Sequence, residues 1–296
     1  MSGTRPEHIS PPELFYDTTE ASKYTQNTRI KKIQRELTER AIELLGLPTL
    51  AKNETDSDDG MEDSANIQTD PKLILDIGCG SGLSGEILAS HGHTWFGCDI
   101  SQSMLDVAMD REVENCDLLL HDMGHSLPFR SGTFDGAISI SALQWLCNQD
   151  KSVNKPAKRL KAFFESLYSC LKHGAKAVLQ FYPENPEQSE FIWSFATKAG
   201  FSGGVLIDFP NSQKRKKYYL VLFCGVQQQN MPDSLDGTEQ PNTAKFAKKE
   251  RLCDLRKKGK ITKKQWIMAK KDKQRAAGKQ VANDSKFTGR KRRIKW

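Results

Sequence analysis

The stretch LILDIGCGSGLSG at residues 73–85 decides the fold of this chain. It begins with apolar residues typical of a buried strand and continues through Asp76 into a turn with glycines at 78, 80 and 82. Glycine accepts positive φ angles and lets the backbone approach a ligand closely. In an open α/β sheet, a nucleotide-like cofactor lies at such a turn, between a strand and the following helix. We therefore predict an α/β fold with a cofactor site at residues 76–82.

The residues around this turn discriminate between cofactors. A dinucleotide-binding turn has the spacing G-x-G-x-x-G, whereas Leu83 stands at the third glycine position. A phosphate-binding loop ends in Lys-Ser or Lys-Thr, and neither pair follows the turn. The carboxylate of Asp76 favours a cationic ligand over a pyrophosphate, and S-adenosylmethionine carries an ammonium and a sulfonium. The predicted contacts in the turn are Asp76, Gly78, Cys79, Gly80 and Gly82.

Acidic residues also end two further predicted strands. Asp99 follows the second strand, 21 residues after Gly78, where a ribose-binding carboxylate belongs in a Rossmann-like sheet. Asp122 follows the third strand, and its carboxylate suits an adenine amine. Together the three strand ends resemble those of the class I S-adenosylmethionine-dependent methyltransferases. The alternative interpretation is that the two carboxylates only cap helices. The resemblance adds Asp99, Ile100, Met104, Asp122 and Met123 to the predicted cofactor contacts.

Strand and helix patterns alternate along the rest of the first 225 residues. The predicted strands are 73–77, 94–98, 116–121, 134–140, 175–182 and 218–224, and the predicted helices are 28–46, 82–91, 102–110, 157–172 and 188–199. This alternation predicts a Rossmann-like, mostly parallel sheet with helices on both faces. A turn around Asn211 precedes the last strand and predicts one antiparallel strand in an edge hairpin.

The charge of the chain is unevenly divided. Residues 244–296 contain 21 Lys and Arg against 4 Asp and Glu, a net charge of +17, and the first 243 residues sum to −10. We predict a methyltransferase domain at 1–225 with an acidic flexible insertion at 52–70, a linker at 226–243, and a basic, largely disordered tail at 244–296. Such a tail indicates a polyanionic partner and predicts RNA binding and nuclear targeting. No long apolar run favours a membrane.

The segment after the fourth strand bears on the methyl acceptor. It reads SALQWL at 141–146, without the Pro-Pro-aromatic box of enzymes that methylate base amines, and no Pro-Cys pair supplies a nucleophilic cysteine. This favours an acceptor that is already nucleophilic, such as guanine N7, which needs placement and no acid or base. We predict that Trp145 stacks on the purine and that Gln144 and Asn148 bond its edge. The alternatives are a core tryptophan and ordinary loop residues.

Strings near both ends of the chain resemble the eukaryotic 18S ribosomal RNA guanine-N7 methyltransferases. They are Arg5-Pro-Glu-His8, Pro11-Pro-Glu-Leu-Phe-Tyr16, Lys23-Tyr-Thr25, Gln180-Phe-Tyr-Pro183, Trp266-Ile267 and Asp284-Ser-Lys-Phe-Thr-Gly-Arg-Lys-Arg292. The resemblance implies methylation of one guanine N7 in the 18S rRNA of the pre-40S particle and a role in small-subunit biogenesis. It implies that Tyr24 and Arg29 close over the cofactor and that Tyr182 and Pro183 shape the acceptor pocket.

The resemblance also implies a partner and a location. Family members use a small zinc-binding activator subunit, and we expect it to pair with the edge strand near residues 116–120, because an exposed apolar edge needs a cover. No C-x-x-C pair occurs among the seven cysteines, so no metal site is predicted in this chain. The expected location is the nucleus, and also the cytoplasm. Two alternatives stay open: a small-molecule methyltransferase, which the +17 tail disfavours, and an assembly factor whose binding matters more than its catalysis.

Overall fold

A seven-stranded sheet is the centre of the computed structural model, which describes residues 5–47, 70–149, 154–212, 215–225, 231–235, 262–276 and 281–284. The strands are β1 (Leu73–Ile77), β2 (Thr94–Asp99), β3 (Cys116–Leu120), β4 (Phe134–Ile140), β5 (Leu171–Phe181), β6 (Ser202–Asp208) and β7 (Lys217–Phe223). Their spatial order is β3-β2-β1-β4-β5-β7-β6, and only β7 runs against the others. The order reverses beside β1, so a crevice opens at the carboxyl ends of β1 and β4. The predicted fold class is confirmed.

The antiparallel hairpin lies at one edge of the sheet, as predicted. The outermost strand of this hairpin is β6, however, and the sequence prediction had no strand there. β6 begins with Ser202, Gly203 and Gly204, and Gly203 has a φ of +126°. A Cβ atom at Gly203 would lie 2.1 Å from the carbonyl oxygen of Val221. Only glycine permits this approach, and glycines inside a strand weaken the pattern by which a strand is recognised.

Helices cover both faces of the sheet. They are α1 (Pro12–Phe15), α2 (Thr18–Gln26), α3 (Thr28–Leu45), α4 (Leu83–Ser90), α5 (Gln102–Asp110), α6 (Pro156–Cys170) and α7 (Pro186–Lys198). The sequence pattern predicted the last five of these within two residues at each end. It did not predict α1 and α2, because α1 has only four residues and α2 is largely polar. The start of α2 is set by the side chain of Asp17, which accepts hydrogen bonds from the backbone N–H groups of Thr19 and Glu20.

Five strands, β2, β1, β4, β5 and β7, lie inside the sheet, and the last four of these carry most of the core. Their central side chains are fully buried, as expected for strands that are covered on both faces. The largest of the buried side chains are Trp95, Phe134, Phe163, Phe164, Phe181 and Tyr219. The site described below therefore stands at the ends of strands that close packing holds in place.

Part of the predicted linker at 226–243 is bound to the sheet domain. Arg40 donates through Nε to Asp208 Oδ2 at 3.1 Å and through a terminal nitrogen to the carbonyl oxygen of Asp233 at 2.7 Å. The backbone N–H of Leu235 donates to Asp208 Oδ1 at 3.1 Å. Arg40 and Asp208 are both buried, so residues 231–235 are attached through a desolvated ion pair.

The chain divides into two compact units, residues 1–245 and 246–296. In the second unit, helix α8 (Lys263–Ala276) is followed by Asp284, whose carboxylate accepts from Lys271 and Arg275 at 2.9 and 2.5 Å. The prediction of a largely disordered tail did not include this helix. Residues 244–261, 277–280 and 285–296 of the tail and residues 52–69 of the acidic insertion lie outside the described residues. The domain boundaries at 225 and 243 stay predictions. Within the described ranges, no helix has the length and apolar character needed to cross a membrane.

Candidate functional site

A cavity lies at the carboxyl ends of β1 to β4, beside the point where the strand order reverses. Nine of the predicted cofactor contacts line it: Tyr24, Gly78, Cys79, Gly80, Asp99, Ile100, Met104, Asp122 and Met123. Three predicted contacts do not. Arg29 is exposed at the start of α3, Gly82 ends the turn as the residue before α4, and Asp76 is buried behind the wall.

The glycine turn forms the floor of this cavity. Gly78 and Gly80 have φ angles of +71° and +53°. The N–H groups of Gly78 and Cys79 both donate to the carbonyl oxygen of Cys98, at 2.8 and 3.1 Å. A Cβ atom at Gly78 would lie 2.4 Å from the Cβ of Ala142. Glycine at 78 is therefore required both by the backbone angle and by the approach of the segment after β4.

Asp99 fixes the turn from the neighbouring strand. Its Oδ2 accepts from the N–H of Gly80 at 2.9 Å, and its Oδ1 accepts from the N–H of Ser101 at 2.9 Å. The hydroxyl of Ser101 in turn donates to the carbonyl oxygen of Tyr16 at 2.9 Å. Each carboxylate oxygen keeps a second lone pair for a ligand hydroxyl. Asp99 thus connects the glycine turn and the start of α5, and Ser101 connects them to the N-terminal segment.

Asp76 lies directly behind the turn and is fully buried. Its Oδ2 accepts from the hydroxyl of Ser84 at 2.5 Å, and its Oδ1 has no partner among the described residues. Burial raises the pKa of Asp76 to about 7, with a smaller contribution from the charge of Asp99. A positive ligand against the wall would stabilise the ionised form of this carboxyl group.

A buried arginine pairs with Asp122 in the wall of the cavity. Arg159 of α6 donates to Asp122 Oδ1 at 2.6 Å, and the N–H of Gly124 donates to the same oxygen at 2.8 Å. Both side chains line the cavity. Sequence reasoning missed Arg159, which comes 37 residues after its partner. The role of Asp122 toward an adenine amine stays a prediction, and Arg159 is the group that positions its carboxylate.

A second cavity adjoins the first. The two share Tyr16, Tyr24, Gln34, Ser141 and Trp145. The remaining walls of the second cavity are Arg5, Pro6, Glu7, Gln144 and Tyr182. Three of the predicted acceptor residues, Gln144, Trp145 and Tyr182, therefore line one space beside the cofactor cavity.

Aromatic rings separate the two cavities. The Tyr16 ring lies 5.8 Å from that of Tyr24 and 6.1 Å from that of Trp145, between centroids. Trp145 also lies 6.2 Å from Phe15 and is 6% exposed, so it is both a packed residue and a cavity wall. Burial, and then the charges of Asp99 and Glu7, raise the pKa of Tyr16 to about 12. Tyr16 therefore stays a neutral hydroxyl at physiological pH.

The other predicted acceptor residues bind the N-terminal segment. Asn148 donates to the carbonyl oxygen of Glu7 at 2.9 Å, and the carbonyl oxygen of Pro183 accepts from Arg5 at 3.1 Å. Neither residue lines the second cavity. Gln144 donates to the carbonyl oxygen of Ser141 at 2.8 Å. The contacts of Asn148 and Pro183 hold the wall in place, and their role toward an acceptor stays a prediction.

Sequence reasoning missed Tyr16, Gln34 and Ser141, which line both cavities. Ser141 has a φ of +60°, a conformation that non-glycine residues adopt rarely, and its hydroxyl donates to Gln180 Oε1 at 2.7 Å. The described residues contain no group of three or more His, Cys, Asp and Glu side chains placed to hold a metal.

Comparison with known proteins decides the family. A model described as "Methyltransferase domain" matches residues 74–174, and one described as "Methyltransferase involved in Williams-Beuren syndrome" matches residues 222–294. The chain is 50% identical to a probable 18S rRNA (guanine-N7)-methyltransferase of Dictyostelium discoideum, over 98% of both chains. It is 50% identical to the 18S rRNA (guanine-N7)-methyltransferase of Mus musculus, over 98% of this chain and 97% of that one. The chain belongs to this family.

Solved structures show that the fold of this family member is that of the S-adenosylmethionine-dependent methyltransferases. Magnesium protoporphyrin IX methyltransferase from Synechocystis, with bound S-adenosylmethionine, has a TM-score of 0.50 at 15% identity. The alignment spans 76% of this chain and 99% of the Synechocystis enzyme. A phosphoethanolamine N-methyltransferase of Haemonchus contortus gives 0.51 at 18% identity, over 72% of this chain and 58% of that one. The family membership and the match to the methyltransferase domain model identify the chain as an S-adenosylmethionine-dependent methyltransferase.

The residues of this methyltransferase fit its cofactor. The open lone pairs of Asp99 suit ribose hydroxyls, Ile100 and Met104 provide apolar surface, and the buried Oδ1 of Asp76 gives the wall a carboxyl group that a cation favours. Glycine at positions 78 and 80 lets Ala142 and Met104 pack closely on the turn, because a Cβ atom there would lie 2.4 and 2.9 Å from their side chains. The predicted cofactor agrees with this geometry.

Binding of the cofactor should depend on pH through Asp76. The pKa of this carboxyl is raised to about 7, so at pH 6 most of the free protein holds a proton there. A cationic ligand favours the carboxylate, so binding releases that proton. We expect the affinity for S-adenosylmethionine to rise by up to about tenfold per pH unit from about pH 5.5 to 7 and then to level off.

Calorimetry in buffers of different ionisation enthalpy measures the released proton directly. The variant Asp76→Asn should bind without this proton release and with a flat pH profile. Wild-type binding that releases no proton near pH 6.5 would contradict the assignment to Asp76.

Proposed function

We propose that this chain transfers the methyl group of S-adenosylmethionine to N7 of a guanine in 18S rRNA, within small-subunit biogenesis. The observation that carries this proposal is identity of about 50% across 98% of the chain with relatives named for that reaction. A yeast relative, 48% identical over 98% of each chain, is named an 18S rRNA (guanine(1575)-N7)-methyltransferase. The aromatic cavity beside the cofactor cavity supports it, because a purine stacks on such rings.

The chain's task in this reaction is placement. Guanine N7 has a free lone pair at neutral pH, so no side chain needs to remove a proton. The bound cofactor supplies an electrophilic methyl group on a sulfonium. Trp145 and Tyr182 provide surfaces for the base, and Gln144 faces the same space. Alignment of the two reactants accounts for up to about 7–11 kcal/mol of the barrier in favourable intramolecular reactions.

Tyr16 and Tyr24 are neutral, so their oxygens do not compete with the guanine for the methyl group. Burial raises the pKa values of both Tyr16 and Tyr24 above that of a free phenol. A phenolate at the boundary between the cavities would compete with the base for the methyl group. A neutral hydroxyl instead donates a hydrogen bond, for which the carbonyl oxygen of guanine is a suitable acceptor.

Mass spectrometry of 18S rRNA nucleosides tests the proposed function in cells. Removal of this protein should abolish 7-methylguanosine at one position, and restoring the intact chain should return it. An unchanged amount of 7-methylguanosine in 18S rRNA without the protein would refute the proposal.

We further propose a small zinc-binding activator subunit as a partner that pairs with β3. This strand is an edge of the sheet. Leu120 on it is 51% exposed, and Met109 on the preceding helix is 61% exposed. Apolar edges of this kind favour association with another strand. The chain expressed alone should be poorly soluble, and a soluble, monomeric and fully active chain would contradict the proposal.

The basic tail, residues 244–296, is proposed to contact RNA phosphates and to direct the chain to the nucleus, with a second population in the cytoplasm. Its net charge of +17 supports this proposal. A chain that ends at residue 243 should lose affinity for pre-40S particles and nuclear enrichment. Unchanged affinity and location would refute this role.

A further inference from the structure

A basic turn joins β6 to β7. It lies at the end of the sheet where the parallel strands finish, which is also the end that carries the site. β5 and β6 run parallel and end at Phe181 and Asp208, and β7 starts at Lys217. The turn between Asp208 and Lys217 is therefore on the same side of the sheet as the end of β5. Tyr182, the residue after β5, lines the second cavity.

Three cations of this turn lie over aromatic rings. Arg215 Cζ lies 4.0 Å from the centroid of Phe209, and Lys216 Nζ lies 5.2 Å from that of Tyr218. Lys217 Nζ lies 5.1 Å from the centroid of Tyr182 and donates to its hydroxyl at 3.0 Å. The basic–aromatic turn, as we name it, consists of Phe209, Arg215, Lys216, Lys217 and Tyr218. Through Lys217 it contacts the wall of the second cavity.

The charges of this turn are not neutralised within the described part of the chain. No carboxylate there pairs with Arg215, Lys216 or Lys217. Elsewhere in the domain, cations such as Lys172 do have acidic partners. Over residues 1–243 the net charge is −10, which repels a polyanion. This group of cations, which reaches the wall of the second cavity through Lys217, is therefore one place where a phosphate chain can approach the domain.

We propose that the basic–aromatic turn binds the phosphate backbone of a single RNA strand next to the methylated guanine. Unpaired cations provide phosphate contacts, and aromatic faces are surfaces on which unstacked bases pack. This inference rests on the proposed function, because the strand it binds leads to the second cavity. It assigns this turn a role in holding the substrate and none in the methyl transfer itself.

The double variant Arg215→Ala/Lys216→Ala tests this role in the full chain. The probe is a short single-stranded RNA with one guanosine, measured by titration across salt concentrations and by methyl transfer. Loss of two phosphate contacts should lower the slope of log Kd against log salt by about 1.4, at about 0.7 per contact. KM for the RNA should rise roughly tenfold while kcat and the affinity for S-adenosylmethionine stay unchanged. Lys217 is left intact because it contacts Tyr182.

The matched control removes two cations from the opposite end of the sheet, where the parallel strands begin. Lys172 lies at the start of β5, and Lys198 ends α7, just before β6 begins. Lys198 also lies over an aromatic ring, 4.9 Å from the centroid of Phe195. The variant Lys172→Ala/Lys198→Ala has the same net charge as the test variant and should keep the wild-type slope and KM.

The two double variants separate the role of the turn from the proposed function. Equal slopes and KM values for both variants would overturn the role of the turn, while transfer by the wild type would leave the proposed function standing. Absent transfer in the wild type with the proposed activator subunit present would refute the proposed function, and the salt slopes would still test the turn. Competition by poly-glutamate as strong as that by RNA of equal charge would also overturn the role of the turn, because it would make the surface a general polyanion site.

Discussion

Replacing Asp99 with alanine is expected to weaken the binding of S-adenosylmethionine by about 100- to 10,000-fold. Two hydrogen bonds from ribose hydroxyls to a carboxylate contribute about 1.5–3 kcal/mol each, and about 1.4 kcal/mol is a factor of ten. The same change also removes the acceptor for the N–H groups of Gly80 and Ser101. Isothermal titration calorimetry measures the loss directly.

Asp106 provides the matched control for this variant. It is an exposed carboxylate on α5, seven positions from Asp99, and accepts from Gln102 at 2.7 Å. Asp106→Ala should bind the cofactor like the wild type. Near-normal binding by a folded Asp99→Ala chain would mean that the cavity does not hold the ribose at this carboxylate. In cells, lost methylation with normal ribosome assembly in this variant would favour the assembly-factor alternative.

The variant Trp145→Ala is expected to lower kcat/KM for RNA by at least about 100-fold. Stacking of a base on an aromatic ring contributes about 1–3 kcal/mol, and Trp145 also packs against Tyr16 and Phe15 at the boundary of the two cavities. Removing the indole leaves a gap there, and a small misplacement of the base adds to the loss. Steady-state methyl transfer measures the effect, with the affinity for S-adenosylmethionine measured on the same samples.

A lower kcat/KM of Trp145→Ala has to be distinguished from a loss of folded protein. Truncating a buried tryptophan costs about 3–5 kcal/mol of unfolding free energy. Trp145→Phe keeps an aromatic surface and should retain most of the activity. Trp193 is a half-buried tryptophan on α7 that lines neither cavity, so Trp193→Ala is a control for the loss of an indole elsewhere. A folded Trp145→Ala chain with wild-type kcat/KM would show that this residue acts only in packing.

The sequence predicted the cofactor cavity well because its main signals are local. The floor of the cavity is one glycine turn, Asp99 is the last residue of β2, and Asp122 lies two residues after β3. β1 and β4 have the predicted ends, and β2 extends one residue further. Parallel strands place their carboxyl ends at one edge, so local patterns are enough to bring these residues together.

The acceptor side was harder to predict because its walls come from distant segments. Tyr16 and Gln34 reach both cavities from α1, α3 and the connections around them, more than 100 residues before Trp145 in the chain. Arg159 reaches Asp122 from another helix. Such contacts depend on tertiary packing, which no periodicity in one sequence encodes. Asn148 and Pro183 were predicted in the pocket for their position after strands, yet their described contacts hold the N-terminal segment.

The most direct test of the central claim is a change of a single atom in the substrate. An RNA that contains 7-deazaguanosine has a carbon atom where guanine has N7, and it keeps every other hydrogen-bonding group. With the full chain, the proposed activator subunit and the cofactor, methyl transfer should occur on the guanosine RNA and be absent on the 7-deazaguanosine RNA, while the two RNAs bind equally well. Equal transfer to both RNAs would contradict the assignment of guanine N7 as the acceptor.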